Sequence, residues 1–304
     1  MKSASPLLIV GSMAFDDLSL PSGSFQDTVG GSATYSAFAA SLFAPVRVVA
    51  VVGADFPTGV LARLEARGVD TSGIERADGK TFRWAGRYAE DLLHRTTLDT
   101  QLNVFASFEP KISAAHADTP FVLLGNIHPS LQSRVLDQMR APRIVVADTM
   151  NFWISGEPAE LARMLARIDT LVINDEEAFL LSGSSNITRA AREIRARGPK
   201  RVIIKRGEHG ALLFDDVGAF AAPGFPLEHV VDPTGAGDSF AGGFMGYLAR
   251  HQEINALTLR RAMLYATATA SFCVEAVGTE RVASLSRDDL ASRVEAIRGL
   301  YGML

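Results

Sequence analysis

The chain has 304 residues, 47% of them hydrophobic and 21% charged, with a formal net charge of −4. That supplies enough apolar matter for one large α/β domain or two ordinary ones. The slight acidity argues against a nucleic-acid-binding surface, whereas a local anion site needs no net positive charge.

The N-terminus reads MKSASPLLIVGSMAFDD, and its apolar stretch is broken too soon, at Asp16, for a signal peptide. No run approaches the length of a membrane span. The single cysteine, Cys273, forms neither an internal disulfide nor a zinc site, so a reducing cytoplasm is the expected compartment. Its apolar surroundings, AMLYATATASFCV, predict a packed core thiol.

Short apolar, β-branched runs recur along the chain: LLIV (7–10), VRVVAVV (46–52), FVLLG (121–125), RIVVA (143–147), TLVIN (170–174), RVIIK (201–205) and ALLF (211–214). Continuous runs of this kind fit strands buried on both faces. Between them lie segments with helical spacing at 33–43, 60–68, 131–139 and 187–198. Strand then helix, repeated, predicts a mostly parallel central sheet with helices on both faces. Residues 80–108 break the rhythm, with many Thr, Phe, Tyr and Arg residues and weak helical signal. They read as extended strands outside the main sheet, a small β lid over a ligand, with a contribution from around 12–28. No repeat or flexible linker divides the chain, so residues 1–304 read as a single domain.

The stretch VVDPTGAGDSFAGGFMGYLAR (230–250) carries the chemistry. It reads as a short strand, a turn at Pro233-Thr234-Gly235 and an amphipathic helix starting near Asp238. Gly235, Ala236 and Gly237 leave the backbone open, so its N–H groups and the helix N-terminus form an anion hole for a phosphate. Asp238, at the same helix start, is placed to accept a hydroxyl proton while the helix end stabilises a transferring phosphoryl group. A bare first-turn charge is the structural alternative, but capping alone needs no Gly-Ala-Gly opening. Gly242, Gly243 and Gly246 read as close helix packing. Two other nucleotide signatures fail. GxGxxG needs glycine where Phe240 stands, and GIERADGKT (73–81) is one residue too long for a Walker A loop.

DPTGAGDSFAGGF resembles the C-terminal signature of the ribokinase family, the PfkB carbohydrate kinases, whose members phosphorylate sugars, sugar phosphates and nucleosides. GSMAFDDL (11–18), VGGSATYSAFAASL (29–42), VVGADFPTG (51–59), NDEEA (174–178) and IIKRGEHGALLF (203–214) resemble further family segments in the expected order. The resemblance implies a ribokinase-like fold and dependence on ATP and Mg2+. It implies that Asp238 is the catalytic base and Gly235, Ala236 and Gly237 the anion hole. Asp16, Gly30 and Gly31 would hold substrate hydroxyls. Asn174 and Glu177 would organise magnesium and phosphates through water, and Lys205 and Gly207 would line the nucleotide site. Asp232, Thr234 and Gly278 match the neighbourhood of a monovalent cation, K+, that many members bind.

Each of these has a structural alternative. Asp16 also suits a turn cap, Gly30-Gly31 a plain turn, and Asn174 with Glu177 a helix-start capping box. Asp148 and Asn151 stand equally for ligand contact and turn formation. Tyr35 departs from the family, which often has a sugar-binding Asn there, and this weakens a claim for ribose. Phe82, Trp84, Tyr88 and Phe105 suit base stacking, a sugar cover or lid core, while Arg83, Arg87 and Arg95 read as solvated strand faces. The leading reading is an ATP-dependent kinase of a sugar-like hydroxyl; the alternatives are a nucleoside kinase and a catalytically silent binding homologue. The expected partner is a small sugar or nucleoside, with no nucleic acid and no membrane, and a homodimer is left open.

Overall fold

The computed structural model describes residues 3–300 and Gly302. In chain order the elements are β1 (Leu7–Val10), β2 (Ala14–Leu20), β3 (Gly23–Gly30), α1 (Ser32–Ser41), β4 (Val46–Val52), α2 (Thr58–Ala66), β5 (Val69–Arg76), β6 (Phe82–Tyr88) and β7 (Arg95–Gln101). A 3-10 turn at Asn103–Ser107 leads to β8 (Phe121–Leu124), α3 (Pro129–Gln138), β9 (Ile144–Asp148), α4 (Asn151–Gly156), α5 (Pro158–Leu165), β10 (Thr170–Asn174), α6 (Asp175–Ser182) and α7 (Ile187–Arg195). The last part holds β11 (Arg201–Lys205), β12 (Ala211–Asp215), β13 (Gly218–Ala222), α8 (Ala236–His251), α9 (Ala256–Cys273), α10 (Glu280–Ser284) and α11 (Arg287–Leu300).

Nine strands form the main sheet in the order β13-β12-β11-β10-β9-β8-β1-β4-β5. All neighbours are parallel except β11–β12 and β12–β13. Strand side chains alternate between two cores. Leu7 and Ile9 enter one, with residues of α1, α8 and α9; Leu8 and Val10 enter the other, with residues of α3, α5 and α7. A strand covered on both faces has no polar side to show, which is why these runs lack alternation. Cys273 is fully buried in the first core.

A second sheet, β3-β2-β6-β7, stands apart. Residues 14–30 supply two of its strands and residues 82–101 the other two, so the early segment contributes half of it. Phe82, Phe105 and Phe108 stack in series at 5.3 and 5.5 Å where this sheet leaves the main body. They are packing residues at its base.

Two expectations need correction. Residues 230–232 form no strand. They are held by Val231 N–H donating to the Val274 carbonyl and by the Asp232 side chain, and Pro233 has no amide to extend a ladder. Helix α8 is not amphipathic, because every residue from Ser239 to Ala249 is buried. It runs between α1 and α9, where Cβ atoms on Gly242, Gly243 and Gly246 would meet Ser36, Thr269 and Ala40 within 3 Å. Among the described residues, no helix is long and apolar enough to cross a membrane.

Candidate active site

Three neighbouring parallel strands, β9, β10 and β11, end at Asp148, Asn174 and Lys205. Register brings Asn174 beside Lys205 and Val172 beside Asp148, so their side chains share one sheet edge. Lys205 Nζ lies 3.5 Å from Asp148 Oδ2, and both side chains are largely buried. Burial opposes the Lys205 ammonium, but Asp148, Glu177 and Asp238 outweigh it and hold its pKa above the usual value.

Asn174 and Glu177 form the capping box of α6. Asn174 Oδ1 accepts the Glu177 amide at 2.7 Å, and Glu177 Oε2 accepts the Asn174 amide at 2.9 Å. The capping alternative therefore describes the geometry. The pair also lies beside Lys205 at the strand ends, and burial, opposed by Lys205 and reinforced by Asp148, pushes the Glu177 carboxyl up to about 7. With one oxygen engaged by the cap, these side chains fit a hydrated cation better than direct ligation. Among the described residues, no group of three His, Cys, Asp or Glu side chains is arranged to hold a metal.

The turn before α8 is pinned from below. Asp232 is fully buried; its Oδ1 accepts the Thr234 amide and its Oδ2 the Gly278 amide, both at 2.9 Å. These bonds bring Asp232, Thr234 and Gly278 together. Gly235, the N-cap, has a φ of +75°, and a Cβ there would lie 2.4 Å from the Tyr35 ring. Gly237 faces Lys205, whose Nζ would stand 2.7 Å from an added Cβ. The first amides of α8 and the Lys205 ammonium thus converge on one space. Asp238 is the third helical residue and is partly buried as a whole; its carbonyl accepts Ser36 Oγ at 2.9 Å. Burial, then Asp148, pushes that carboxyl up to about 7, against the pull of Lys205 and Arg95.

Asp16 approaches from the second sheet. It is 5% exposed on β2, and a Cβ on Gly30 would come within 1.9 Å of its Oδ2. Glycine at 30 is what leaves room for the carboxylate. Gly31, with a φ of +92°, caps α1 where a Cβ would strike the Ser12 carbonyl. Burial, then the charges of Asp232 and Asp238, raises the Asp16 carboxyl to about 8. Gly207 stands apart from this cluster, with Leu93 of the β6–β7 connection over it at 3.5 Å from an added Cβ.

Arg87 is exposed, as a solvated face should be, whereas Arg83 is only partly exposed and is engaged by Asp17 at 2.8 Å and by Asp27. Arg95, which opens β7, is exposed as that reading expects, but it also reaches toward the site. Its guanidinium bonds to Tyr88, and its charge acts on Glu177, Asp238 and Asp16. Nothing in the local sequence marks it. Only the cross-strand pairing of Tyr88 with Arg95 aims it inward. Asp148, left open between contact and turn, lies beside Lys205. Trp84 lies across Gly86 and donates to Thr97 Oγ1 at 3.2 Å, as a packed part of its own sheet.

An open-backbone helix start beside a lysine and a buried carboxylate, with a second buried acid on β2, is an arrangement that suits phosphoryl transfer on an α/β scaffold. The profile of the pfkB family carbohydrate kinases matches residues 7–284, and the chain belongs to that family. It is 31% identical over 256 residues to a cytidine kinase from Thermococcus kodakarensis, covering 82% of this chain and 90% of the relative. Its fold, ribokinase-like, superposes on a Burkholderia thailandensis nucleoside kinase in complex with inosine at a TM-score of 0.80, with 23% identity, covering 96% of this chain and 98% of the other. An Arabidopsis thaliana ribokinase complexed with ribose and ATP gives a TM-score of 0.76 at 22% identity, covering 96% and 99%. The protein is therefore an ATP-dependent kinase of the sugar and nucleoside class.

Proposed function

We propose that the protein is a nucleoside kinase in which Asp238 takes the proton from the acceptor hydroxyl. The observation that carries the base is its place: the first turn of α8, between the Lys205 ammonium and the acid cluster of the acceptor side. A carboxyl raised to about 7 is matched to proton transfer near neutrality. Asp16, with Gly30 and Gly31 behind it, holds the acceptor's hydroxyls. The amides at Gly235, Ala236 and Gly237, together with Lys205, take up charge on the transferring phosphoryl group. Magnesium would neutralise the nucleotide phosphates from water-bridged positions near Asn174 and Glu177. K+ beside Asp232, Thr234 and Gly278 would add positive charge beneath the same turn.

Charge favours an uncharged acceptor. Asp238 flanks it, and Arg83 is already committed to Asp17 and Asp27, which leaves Arg95 to offset the charge of a phosphorylated sugar. Between a free sugar and a nucleoside, the long match to a cytidine kinase supports the nucleoside. The test is a panel of nucleosides and sugars with Mg-ATP, read by coupled ADP release and by product mass. Cytidine or another nucleoside should turn over best. Asp238→Asn should lower kcat by ~10²–10⁴-fold with nucleotide affinity little changed. A sugar outpacing every nucleoside would overturn the substrate, and a fully active Asp238→Asn would overturn the base.

A further inference from the structure

The second sheet meets the turn before α8 at a polar point. Tyr88, the last residue of β6, is 7% exposed. Its ring packs with Leu18 and Leu20, and Val277, next to Gly278, packs against that cluster. Its hydroxyl accepts the Thr234 Oγ1 hydrogen at 3.1 Å. Arg95, its direct cross-strand partner, hydrogen-bonds to Tyr88 as well.

Thr234 is held from both sides. Its amide is donated to Asp232 Oδ1, and its hydroxyl reaches Tyr88. The next residue is Gly235, whose left-handed backbone sets the direction of the first α8 amides. Anything that fixes Thr234 fixes those amides. Packing alone asks only for an aromatic ring at position 88. A phenolic hydroxyl buried there costs free energy unless it is bonded, and its partner lies on the other side of the cleft.

We propose that Tyr88 is a positioning residue that makes the anion-hole turn rigid only when the second sheet lies over the acceptor. The inference rests on the kinase reading and extends it to timing. With the sheet lifted, Thr234 keeps only its Asp232 bond and the turn loosens. With the sheet down, Tyr88 and Arg95 complete the hold. An enclosed acceptor hydroxyl then meets a set anion hole. Water, which does not hold the sheet down, meets a loose one, and ATP is spared from hydrolysis.

The test compares Tyr88→Phe, Thr234→Val and the double variant with the wild type. Tyr88→Phe keeps the packed ring and Thr234→Val keeps the side-chain shape. Two readouts are taken: backbone amide exchange over 82–101 and 232–238 without and with saturating cytidine, where the effect is expected in the complex, and steady-state kinetics with cytidine and Mg-ATP. Loss of one such bond should quicken exchange at 232–238 and lower kcat about five- to tenfold, with the KM for ATP within about twofold. The double variant should be no worse than the poorer single one, because both remove the same bond. Unchanged exchange at 232–238 in the cytidine complex of Tyr88→Phe, or additive losses in the double variant, overturns the proposal. Exchange in the cytidine complex needs no turnover, so it decides the role of Tyr88 even if no nucleoside is phosphorylated, an outcome that would count against the kinase reading instead.

Discussion

Alanine at Gly235 and at Gly237 should have opposite consequences, although the two residues flank one position of the same turn. At Gly235 the backbone φ is +75°, and an added Cβ would sit 2.4 Å from three carbons of the Tyr35 ring, which is 1% exposed. That ring is walled into the core and cannot step aside. A left-handed alanine costs ~1–2 kcal/mol and overpacking ~1–3 kcal/mol, so Gly235→Ala should lose roughly 2–5 kcal/mol. At Gly237 the backbone is helical, and the only close atom is Lys205 Nζ at 2.7 Å, the tip of a flexible side chain. Alanine is the better helix former by up to ~1 kcal/mol, so Gly237→Ala should match or exceed wild-type stability. It should still displace Lys205 from the phosphate site and cut kcat by at least about tenfold. Urea unfolding gives the first quantity and the coupled ADP assay the second. A wild-type unfolding midpoint for Gly235→Ala, or full activity in Gly237→Ala, would refute the geometry from which both are argued.

Three further outcomes follow from the buried ionisable groups. The kcat/KM should rise with pH as Asp238, held at about 7, ionises, and Asp238→Asn should flatten that limb of the profile. Asp16 holds its proton in the folded state up to about 8 but in the unfolded chain only to its ordinary value of 3.8, so its contribution to stability is lost as pH rises through that window. Asp16→Asn should therefore flatten the fall of Tm with rising pH while raising the KM for the acceptor, and an unchanged pH slope would show that Asp16 is not the group responsible. Cys273, fully buried and pushed up to about 12 by burial, should resist thiol reagents until the protein is unfolded, with rapid labelling of the native protein as the contrary result.

The main sheet was legible because its strands are buried on both faces, so each predicted run coincides with a strand to within about a residue, well inside the usual boundary scatter. The edge strands β5 and β13 escaped notice. Their exposed polar positions, as in VDTSGIER and GAFAA, break the apolar run. The anion-hole turn was legible because Gly-Ala-Gly-Asp is local chemistry that needs no partner to be recognised. The contact of Arg95 with Tyr88 was not legible, since it depends on pairing with a residue seven positions earlier across a turn. The buried character of α8 was hidden for a similar reason. Glycine and alanine register as weakly apolar, and only the arrival of α1 and α9 shows that all sides of the helix are covered.

The glycines of α8 have a mechanical consequence. With no side chains at 242, 243 and 246, the helix backbone rests directly on α1 on one side and α9 on the other, leaving no compressible layer between them. Such a strut transmits force without yielding. The end of it that carries Asp238 is an anvil, so a closure of the proposed kind would be made by the second sheet, which joins the body at Gly30-Gly31 and at Thr81, whose amide and hydroxyl both bond to Asp55.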